Sequence, residues 1–385
     1  GPDVEINNSN AVSGLNLSST NAYINHLTIN TSKYFQYTGN SNLFVSGNIT
    51  NNGLLFIPGA NTTTNLIFNG TAAQTISGTG IWAQTGTNAG SGRFTNFTIN
   101  NSSGATPAVI LNQNIALQNS LYLQLGQLGG SGTLTYGQGV GTFLMTRTAG
   151  SMNAAFNPSF AGLTNTIFNV NYGNSLAPLT ITTGNEIPYA PAFTQTINNY
   201  TCNFNAASGE VTLSDHVSTG NLGILSLTNT RLYLDAYDFY LNNIGAAITA
   251  TGSINNMIVA DGAGQVKKSF AVGSTAAFIY PLGDNSGGAG NNAGLDYSPV
   301  SFTISNNSNQ RFIGVNLVDG QHPNDVTVNN YISRYWNISD NLNGAGAYNY
   351  TGTFTYSILP TSDLVGTQTL ASANWWNGSN WNAIT

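Results

Sequence analysis

Charged side chains are scarce in this sequence. Eight Lys and Arg residues and fourteen Asp and Glu residues make up 6% of the chain, whereas a typical soluble domain carries roughly 25%. Nucleic-acid binding requires clustered basic side chains that neutralise phosphates, and Lys267 and Lys268 are the only adjacent pair. With a formal net charge of -6, the composition argues against a nucleic-acid partner.

Acidic residues are absent between Glu5 and Glu186. Glycoside hydrolysis needs a pair of carboxyl groups, and lyase chemistry on acidic sugars usually needs carboxylates with Ca²⁺ or basic residues. We therefore expect the first half of the chain to be non-catalytic. Because the acids of the second half are thinly spread, we predict that the protein is not an enzyme.

Histidine and cysteine are equally rare. His26, His216 and His322 lie far apart, and none has the HxH or HExxH spacing of a metal site. Cys202 is the single cysteine and cannot form an internal disulfide. It takes the position that Ile29 and Ile99 hold in related sequence phrases, so we expect a buried, unreactive side chain.

Long apolar runs are missing as well. No segment approaches the roughly 18 residues that a transmembrane helix requires, so we predict no membrane span. The start of the chain shows no basic segment followed by an apolar one, and we expect any export signal to have been removed or to lie outside this sequence. We also expect the sequence to be a fragment of a longer polypeptide.

Asparagine and glycine are abundant instead, with 57 asparagines and 44 glycines, and apolar residues alternate with polar ones. Residues 27–30, 97–100 and 200–203 share the order apolar, Thr, apolar, Asn, which is typical of a strand with one buried face. Short strands separated by turn residues, without helices, fit a parallel β-solenoid or a series of antiparallel sandwiches. We favour an all-β fold with a solenoid over residues 1–265, in which asparagine side chains stack from turn to turn.

Two stretches depart from this pattern. Four prolines between residues 148 and 200 predict an irregular insertion in the solenoid, because proline cannot donate to a ladder of hydrogen bonds. Four of the five Trp residues lie beyond residue 330, where alternating segments also lengthen. Residues 266–385 are therefore predicted to form an antiparallel, immunoglobulin-like β-sandwich.

Two candidate binding sites lie in the C-terminal part. Asp284 and Asn285 open a Gly- and Asn-rich loop that leads to Asp296, and their oxygens are the ligands that Ca²⁺ prefers; no other cofactor is expected. Trp375, Trp376 and Trp381 are candidates for stacking on sugar rings, together with Tyr348 and Tyr350. Packing in the sandwich core is the competing interpretation for these aromatic residues.

Six short segments of the sequence resemble segments of a known class of proteins. Residues 68–78, 97–104, 278–284, 297–300, 334–336 and 376–381 resemble segments of the large repetitive surface proteins of gliding and biofilm-forming Bacteroidetes, which are exported by type IX secretion. The resemblance implies a secreted or cell-surface adhesin, filament or stalk that acts in adhesion, gliding or biofilm formation. It also implies contact with the secretion machinery during export.

We therefore expect a non-catalytic, stiff β-rod that contacts glycans, solid surfaces or further copies of itself. A polysaccharide-binding or polysaccharide-degrading β-helix is the alternative. An ice-binding solenoid would need aligned threonine ladders, and Thr62–Thr64, Thr180 with Thr182, and Thr353 with Thr355 do not recur at one period.

Overall fold

A computed structural model shows a chain built almost entirely of β-strands. It describes residues 1–7, 15–18, 21–37, 42–56, 64–83, 93–137, 141–164, 166–173, 180–189, 197–205, 209–285, 294–342, 345–356, 363–367 and 372–383. The single helical element of these residues is a 3-10 turn at Ala161–Leu163. The predicted fold class is confirmed, since parallel strands form a β-solenoid and antiparallel sheets follow in the C-terminal region.

Parallel strands line the first two faces of the solenoid, and strands are numbered here in chain order. Sheet A contains β1 Val4–Ile6, β4 Leu27–Ile29, β7 Ile49–Asn51, β10 Gln74–Ser77, β13 Val109–Leu111, β15 Gln127–Gly129 and β18 Ser151–Met152. Sheet B contains β2 Leu15–Leu17, β5 Tyr34–Tyr37, β8 Leu54–Phe56 and β11 Ile81–Ala83.

Sheet C is the longest sheet and has eleven successive parallel strands. These are β3 Asn21–Ile24, β6 Asn42–Val45, β9 Asn65–Phe68, β12 Arg93–Asn100, β14 Ile115–Leu125, β17 Gly141–Arg147, β19 Thr166–Gly173, β21 Ile197–Asn203, β23 Val217–Thr228, β25 Phe239–Leu241 and β28 Val266–Phe270. Two short strands join them at the side, β16 Leu134–Tyr136 beside β14 and β26 Ile248–Thr249 beside β23.

Strand direction reverses at β28. There β33 Arg311–Asp319 and β35 Arg334–Asp340 extend sheet C in antiparallel pairing. Sheet D is parallel over β20 Thr180–Thr182, β22 Gly209–Thr212, β24 Thr230–Tyr233, β27 Met257–Val259 and β30 Leu282–Asp284, and it ends with antiparallel β31 Asp296–Tyr297. The smaller antiparallel sheets pair β29 Ala277–Tyr280, β32 Val300–Ser305 and β36 Asn349–Phe354; β34 Tyr331–Ile332 and β37 Leu364–Val365; and β38 Asn374–Trp376 and β39 Trp381–Ala383.

The turns of the solenoid differ in length. Val109 pairs with Gln74, so that turn spans 35 residues, whereas Leu128 pairs with Val109 and the next turn spans 19. The paired residues of β10, β13 and β15 keep their register across both turns. The ladder of backbone hydrogen bonds thus continues through turns of unequal length.

The core consists of inward columns that run from turn to turn. In sheet C one column contains Ala22, Leu43, Leu66, Phe97, Leu121, Met145, Val170, Tyr200 and Leu225. Each of these side chains is buried. Period-2 alternation produces this arrangement, because every second residue of a strand faces the same side.

Asparagines stack on the face of the same sheet that lies opposite the core column, as the sequence predicts. Asn21, Asn42, Asn65 and Asn96 occupy aligned positions on successive strands. The Asn65 side-chain amide donates to Asn42 Oδ1 at 3.2 Å. On the next turn the Ser120 hydroxyl donates to Asn96 Oδ1 at 2.6 Å. Uncharged amides therefore link neighbouring turns outside the backbone ladder.

The proline-containing stretch 148–200 carries ladder strands as well as loops. β19 continues sheet C between β17 and β21, while sheet A ends at β18 and sheet D begins at β20. Residues 174–179 and 190–196, with Pro178 and Pro191, lie outside the described residues. The predicted division of the chain at residue 265 stays a prediction, and sheet C runs across that position.

Candidate functional site

Two of the three candidate calcium residues lie beside a buried arginine. Asp284 and Asp296 are cross-strand partners on β30 and β31. Arg334 Nη2 lies 2.6 Å from a carboxylate oxygen of Asp284, 3.2 Å from one of Asp363 and 3.4 Å from one of Asp296. We call these four residues the Arg334 cluster. Its cation is a guanidinium, and neither Arg334 nor Asp363 was among the site residues predicted from the sequence.

Calcium binding itself stays a prediction. The Asn285 backbone N–H donates to Asp261 Oδ2 at 2.9 Å, and the following loop, residues 286–293, lies outside the described residues. Within the described part of the chain, no three His, Cys, Asp or Glu side chains are arranged to hold a metal ion.

The Arg334 cluster contains more negative than positive charge. Asp284 and Asp363 are fully buried and Arg334 is 3% exposed. Burial raises the pKa of Asp284 to about 8; the Arg334 guanidinium opposes this shift, and the nearby carboxylates of Asp319, Asp296 and Asp261 add to it. A proton on Asp284 therefore relieves part of the charge imbalance near neutral pH.

A second buried ion pair lies where sheet A ends and sheet D begins. Arg147 Nη1 is 2.6 Å from Glu186 Oε1, and the Glu186 side chain is completely buried. The same oxygen accepts hydrogen bonds from the Tyr172 hydroxyl at 3.0 Å and the Gly184 backbone N–H at 3.1 Å. Arg147 also donates to the Thr182 carbonyl on β20 at 2.8 Å. The pair thus connects β17 with the first strand of sheet D.

Two of the three histidines make one and the same contact between turns. His26 Nδ1 accepts the backbone N–H of Asn48 at 2.9 Å, and His216 Nδ1 accepts that of Asp238 at 2.9 Å. In both cases the donor lies 22 residues further along the chain. An acceptor used in this way satisfies a backbone donor of the next turn. Each of the two rings thus forms a hydrogen bond between successive turns of the solenoid.

The two acidic residues near His216 also have partners. Asp215 Oδ1 accepts the backbone N–H of His216 at 2.7 Å. The carboxylate of Asp238 lies 3.6 Å from His216 Nδ1, but its Oδ2 is 2.6 Å from Lys267 Nζ.

Cys202 is buried, as predicted. It shares an inward column of sheet C with Ile99, through Leu123, Arg147 and Tyr172. Burial raises the pKa of its thiol, so the reactive thiolate is disfavoured.

Aromatic side chains gather near the C-terminal hairpin β38–β39. The His322 ring centroid lies 4.8 Å from that of Tyr335, 4.8 Å from that of Trp381 and 6.0 Å from that of Trp376. Trp376 and Trp381 are cross-strand partners whose ring centroids are 5.4 Å apart. We call His322, Tyr335, Trp376 and Trp381 the aromatic cluster.

The other candidate aromatic residues lie elsewhere. Trp375 alternates with Trp376 on β38 and therefore points to the opposite face of the hairpin. Tyr350 stacks on Phe302 at 5.2 Å, and Tyr348 lies under the Arg311 guanidinium at 3.8 Å. The five aromatic residues singled out in the sequence thus do not form one stacking surface.

The threonine pairs considered for ice binding lie on different sheets. Thr180 and Thr182 belong to β20 of sheet D, whereas Thr353 belongs to β36 of a small antiparallel sheet. Thr62 and Thr63 lie outside the described residues. These pairs therefore do not line up along one face.

These features define the class of the molecule: a parallel β-solenoid with antiparallel sheets in its C-terminal region. No protein family, curated protein or solved structure matches the chain. Among the described residues there is no helix with the length and apolar character needed to cross a bilayer.

Sequence reasoning missed two of the buried charge clusters, although the sequence contains a signal for one of them. Arg147 and Glu186 are the only charged residues between Arg93 and Glu210. Isolated charges of opposite sign in a neutral region are candidates for a buried pair, because an unpaired charge is costly to bury. No comparable signal connects Asp363 with Arg334, since several acids precede both residues.

Proposed function

We propose that this protein is a non-catalytic structural and adhesive β-rod of the cell surface or of an extracellular filament. The observation that carries the proposal is the parallel ladder of eleven strands in sheet C, with asparagines aligned on its first four strands. In such a solenoid each turn contacts its neighbours, so hydrogen bonds add up along one axis. A rod of this kind can hold two attached groups at a fixed distance or present a binding surface away from the cell.

The contacts of the ionisable groups also support a non-catalytic role. Glu186, Asp238 and Asp284 are each engaged by a basic side chain, and the Nδ1 atoms of His26 and His216 accept backbone donors of the next turn. Groups that make these contacts stabilise the packing of neighbouring strands and turns. The sequence resemblance to Bacteroidetes surface proteins supports an extracellular or surface-attached location, with roles in adhesion, gliding or biofilm formation.

Bead adhesion tests the proposal. The chain is coupled to inert polystyrene beads, and bead retention under flow is measured on glass and on polysaccharide-coated glass. We expect retention above that of uncoupled beads. A matched variant, Phe97→Asp, places a charge in the fully buried core of sheet C and should abolish retention together with the fold.

Turnover assays with neutral and acidic oligosaccharides run in parallel. We expect no new reducing ends and no unsaturated products. Product formation by the wild-type chain, or retention no greater than that of bare beads, would contradict the proposal.

A further inference from the structure

We propose that the aromatic cluster is a binding site for neutral polysaccharides, an inference that deepens the proposed adhesive function and rests on it. The ligand class is a polymer of uncharged sugar rings. Trp376 and Trp381 would contact the C–H faces of the sugar rings. His322 would donate a hydrogen bond to a hydroxyl group.

Three segments that are distant in sequence build the cluster. His322 belongs to the loop after β33, Tyr335 to β35, and the two Trp residues to the hairpin β38–β39. Trp381 Nε1 donates to the backbone carbonyl of Asn324 at 3.1 Å, which fixes the hairpin on the loop. The rings are thus held in place by the fold, and a ligand would not have to order them.

The cluster stays open to solvent. Trp381 is 41% exposed, whereas the Trp of the solenoid core, Trp82, is 2% exposed. On the adjoining loop Val326 and Val328 are 89% and 79% exposed. Large apolar side chains that stay exposed, such as Trp381, are candidates for a site of interaction. Aromatic faces carry negative partial charge and attract weakly positive C–H groups.

The loop and the hairpin that supply His322, Trp376 and Trp381 carry almost no charge. Residues 321–328 and 374–383 contain one acid, Asp325, and no Lys or Arg. Asp325 Oδ1 already accepts hydrogen bonds from the Thr327 backbone N–H at 3.0 Å and hydroxyl at 2.6 Å. Three asparagines of the hairpin segment supply amide groups instead: Asn374, Asn377 and Asn380. Such a surface complements uncharged hydroxyl-rich polymers and offers nothing to pair with an anionic one.

His322 supplies a hydrogen-bond donor. Its Nδ1 accepts the backbone N–H of Asn324 at 3.1 Å, so the neutral ring carries its proton on Nε2. No described residue accepts that proton. Small sites of this kind combine aromatic walls with a few placed polar groups.

The hairpin itself provides the matched control. Trp375 is 46% exposed and neighbours Trp376, yet it points away from the cluster. Tyr350 is 48% exposed. It stacks on Phe302 within the sheet of β29, β32 and β36, which is separate from the hairpin. Replacement of either residue removes a comparable exposed aromatic group and leaves the proposed site intact.

Native affinity electrophoresis tests the proposal with four soluble polysaccharides. Hydroxyethyl cellulose, xyloglucan and galactomannan are the neutral probes, and alginate is the anionic control. We expect at least one neutral polymer to retard the wild-type chain. Trp376→Ala and Trp381→Ala should each weaken this binding by about tenfold or more, whereas Trp375→Ala and Tyr350→Ala should bind like wild type.

The proposal is overturned if no neutral polymer retards the wild type, if alginate alone does, or if Trp375→Ala loses as much binding as Trp381→Ala. A wild-type dimer in sedimentation that Trp381→Ala dissociates would also overturn it, because a second copy would then cover the cluster. If Trp381→Ala loses its near-UV circular dichroism, His322→Asn decides, since asparagine Oδ1 can replace Nδ1 as the acceptor for Asn324 while no atom replaces the Nε2 donor. Unchanged binding of that variant would count against the site.

This measurement is separate from the bead experiment. It uses soluble polymer and no solid surface, so a negative result removes the polysaccharide site and leaves adhesion to glass as the basis of the proposed function. Loss of bead retention on glass, with electrophoretic binding intact, would instead remove the broader adhesive function.

Discussion

Arg147 and Glu186 show how this chain uses its few charges. Arg147 occupies a position in a column that is otherwise mainly apolar, between Leu123 and Tyr172. Its charge is compensated by Glu186, 39 residues further along the chain. The pair joins two sheets at the place where the first face of the solenoid is interrupted.

We predict that Arg147→Met destabilises the protein by about 3–5 kcal/mol, because it leaves the buried Glu186 carboxylate without a counter-charge. Urea unfolding followed by circular dichroism measures the loss. The double variant Arg147→Met with Glu186→Leu removes both charges and should recover most of it. Equal stability of the single variant and the wild type would show that the pair is dispensable.

Asp284 gives the protein a pH dependence of known sign. Its pKa is about 8 in the folded state and about 3.9 in an unfolded chain, so the folded state binds this proton more tightly. The resulting stabilisation is complete below about pH 4 and is lost as the pH rises through 8. We predict a melting temperature that falls between pH 5 and pH 8.5, and a flatter profile for Asp284→Asn.

Asp3→Asn is the control for this profile. Asp3 is exposed, and hydrogen bonds from Asn25 and His26 lower the pKa of its carboxyl group, so its removal should keep the wild-type decline above pH 5. An Asp284→Asn profile as steep as that of the wild type would show that another group titrates.

The residues of the candidate sites were partly predictable. Period 2 and the position of Cys202 in its phrase predict a buried thiol, and the structure confirms it. The same alternation separates Trp375 from Trp376, but sequence alone does not place His322 and Tyr335 beside one of them. That contact depends on how a loop, a strand and a hairpin fold together, which no local pattern encodes.

At the scale of elements, the asparagine stack is the feature that distinguishes sheet C from an ordinary strand ladder. The Asn96 amide donates to the Thr64 carbonyl at 3.0 Å, and its Oδ1 accepts the hydroxyl of Ser120 at 2.6 Å. Asn96 is 6% exposed. An amide therefore fits this position because it is both donor and acceptor.

We predict that Asn96→Asp destabilises the protein by about 1–3 kcal/mol at pH 7, because the carboxylate cannot donate to Thr64 and places a charge against its carbonyl. The loss should shrink at pH 4, where the aspartic acid can be protonated. Urea unfolding at both pH values measures it. Asn100→Asp, on the same strand but exposed, is the matched control and should cost less.

The sequence predicts the existence of strands more readily than the sheet of the solenoid to which each strand belongs. Residues 97–100 and 200–203 lie in aligned positions of sheet C, but the matching phrase at 27–30 belongs to sheet A. A phrase of apolar, Thr, apolar, Asn specifies a half-buried strand that is followed by a turn. It does not specify which side of the solenoid the strand occupies, because that depends on the lengths of the intervening connections.

At the scale of the whole molecule, stability should be shared between neighbouring turns. In a solenoid each turn packs on the turn before and the turn after, so a local defect spreads over a short distance. The parallel strands of sheets A, B and D follow the same order of pairing as those of sheet C.

We predict that Leu66→Ala lowers hydrogen-exchange protection mainly in β6, β9 and β12. Leu66 is fully buried and pairs with Leu43 and Phe97, and its truncation should cost about 2–5 kcal/mol locally. Exchange measured by mass spectrometry should leave β24 and β27 close to wild type. An equal loss of protection in all four sheets would indicate a single cooperative unit instead.

The unequal turns have a consequence for how far the molecule reaches. Because a turn of 35 residues and a turn of 19 each add one strand to the first face, axial extent depends on the number of turns. Eleven parallel strands at about 4.8 Å cover about 50 Å. Insertions and deletions at the corners can therefore reshape the perimeter while the span between the two ends stays constant.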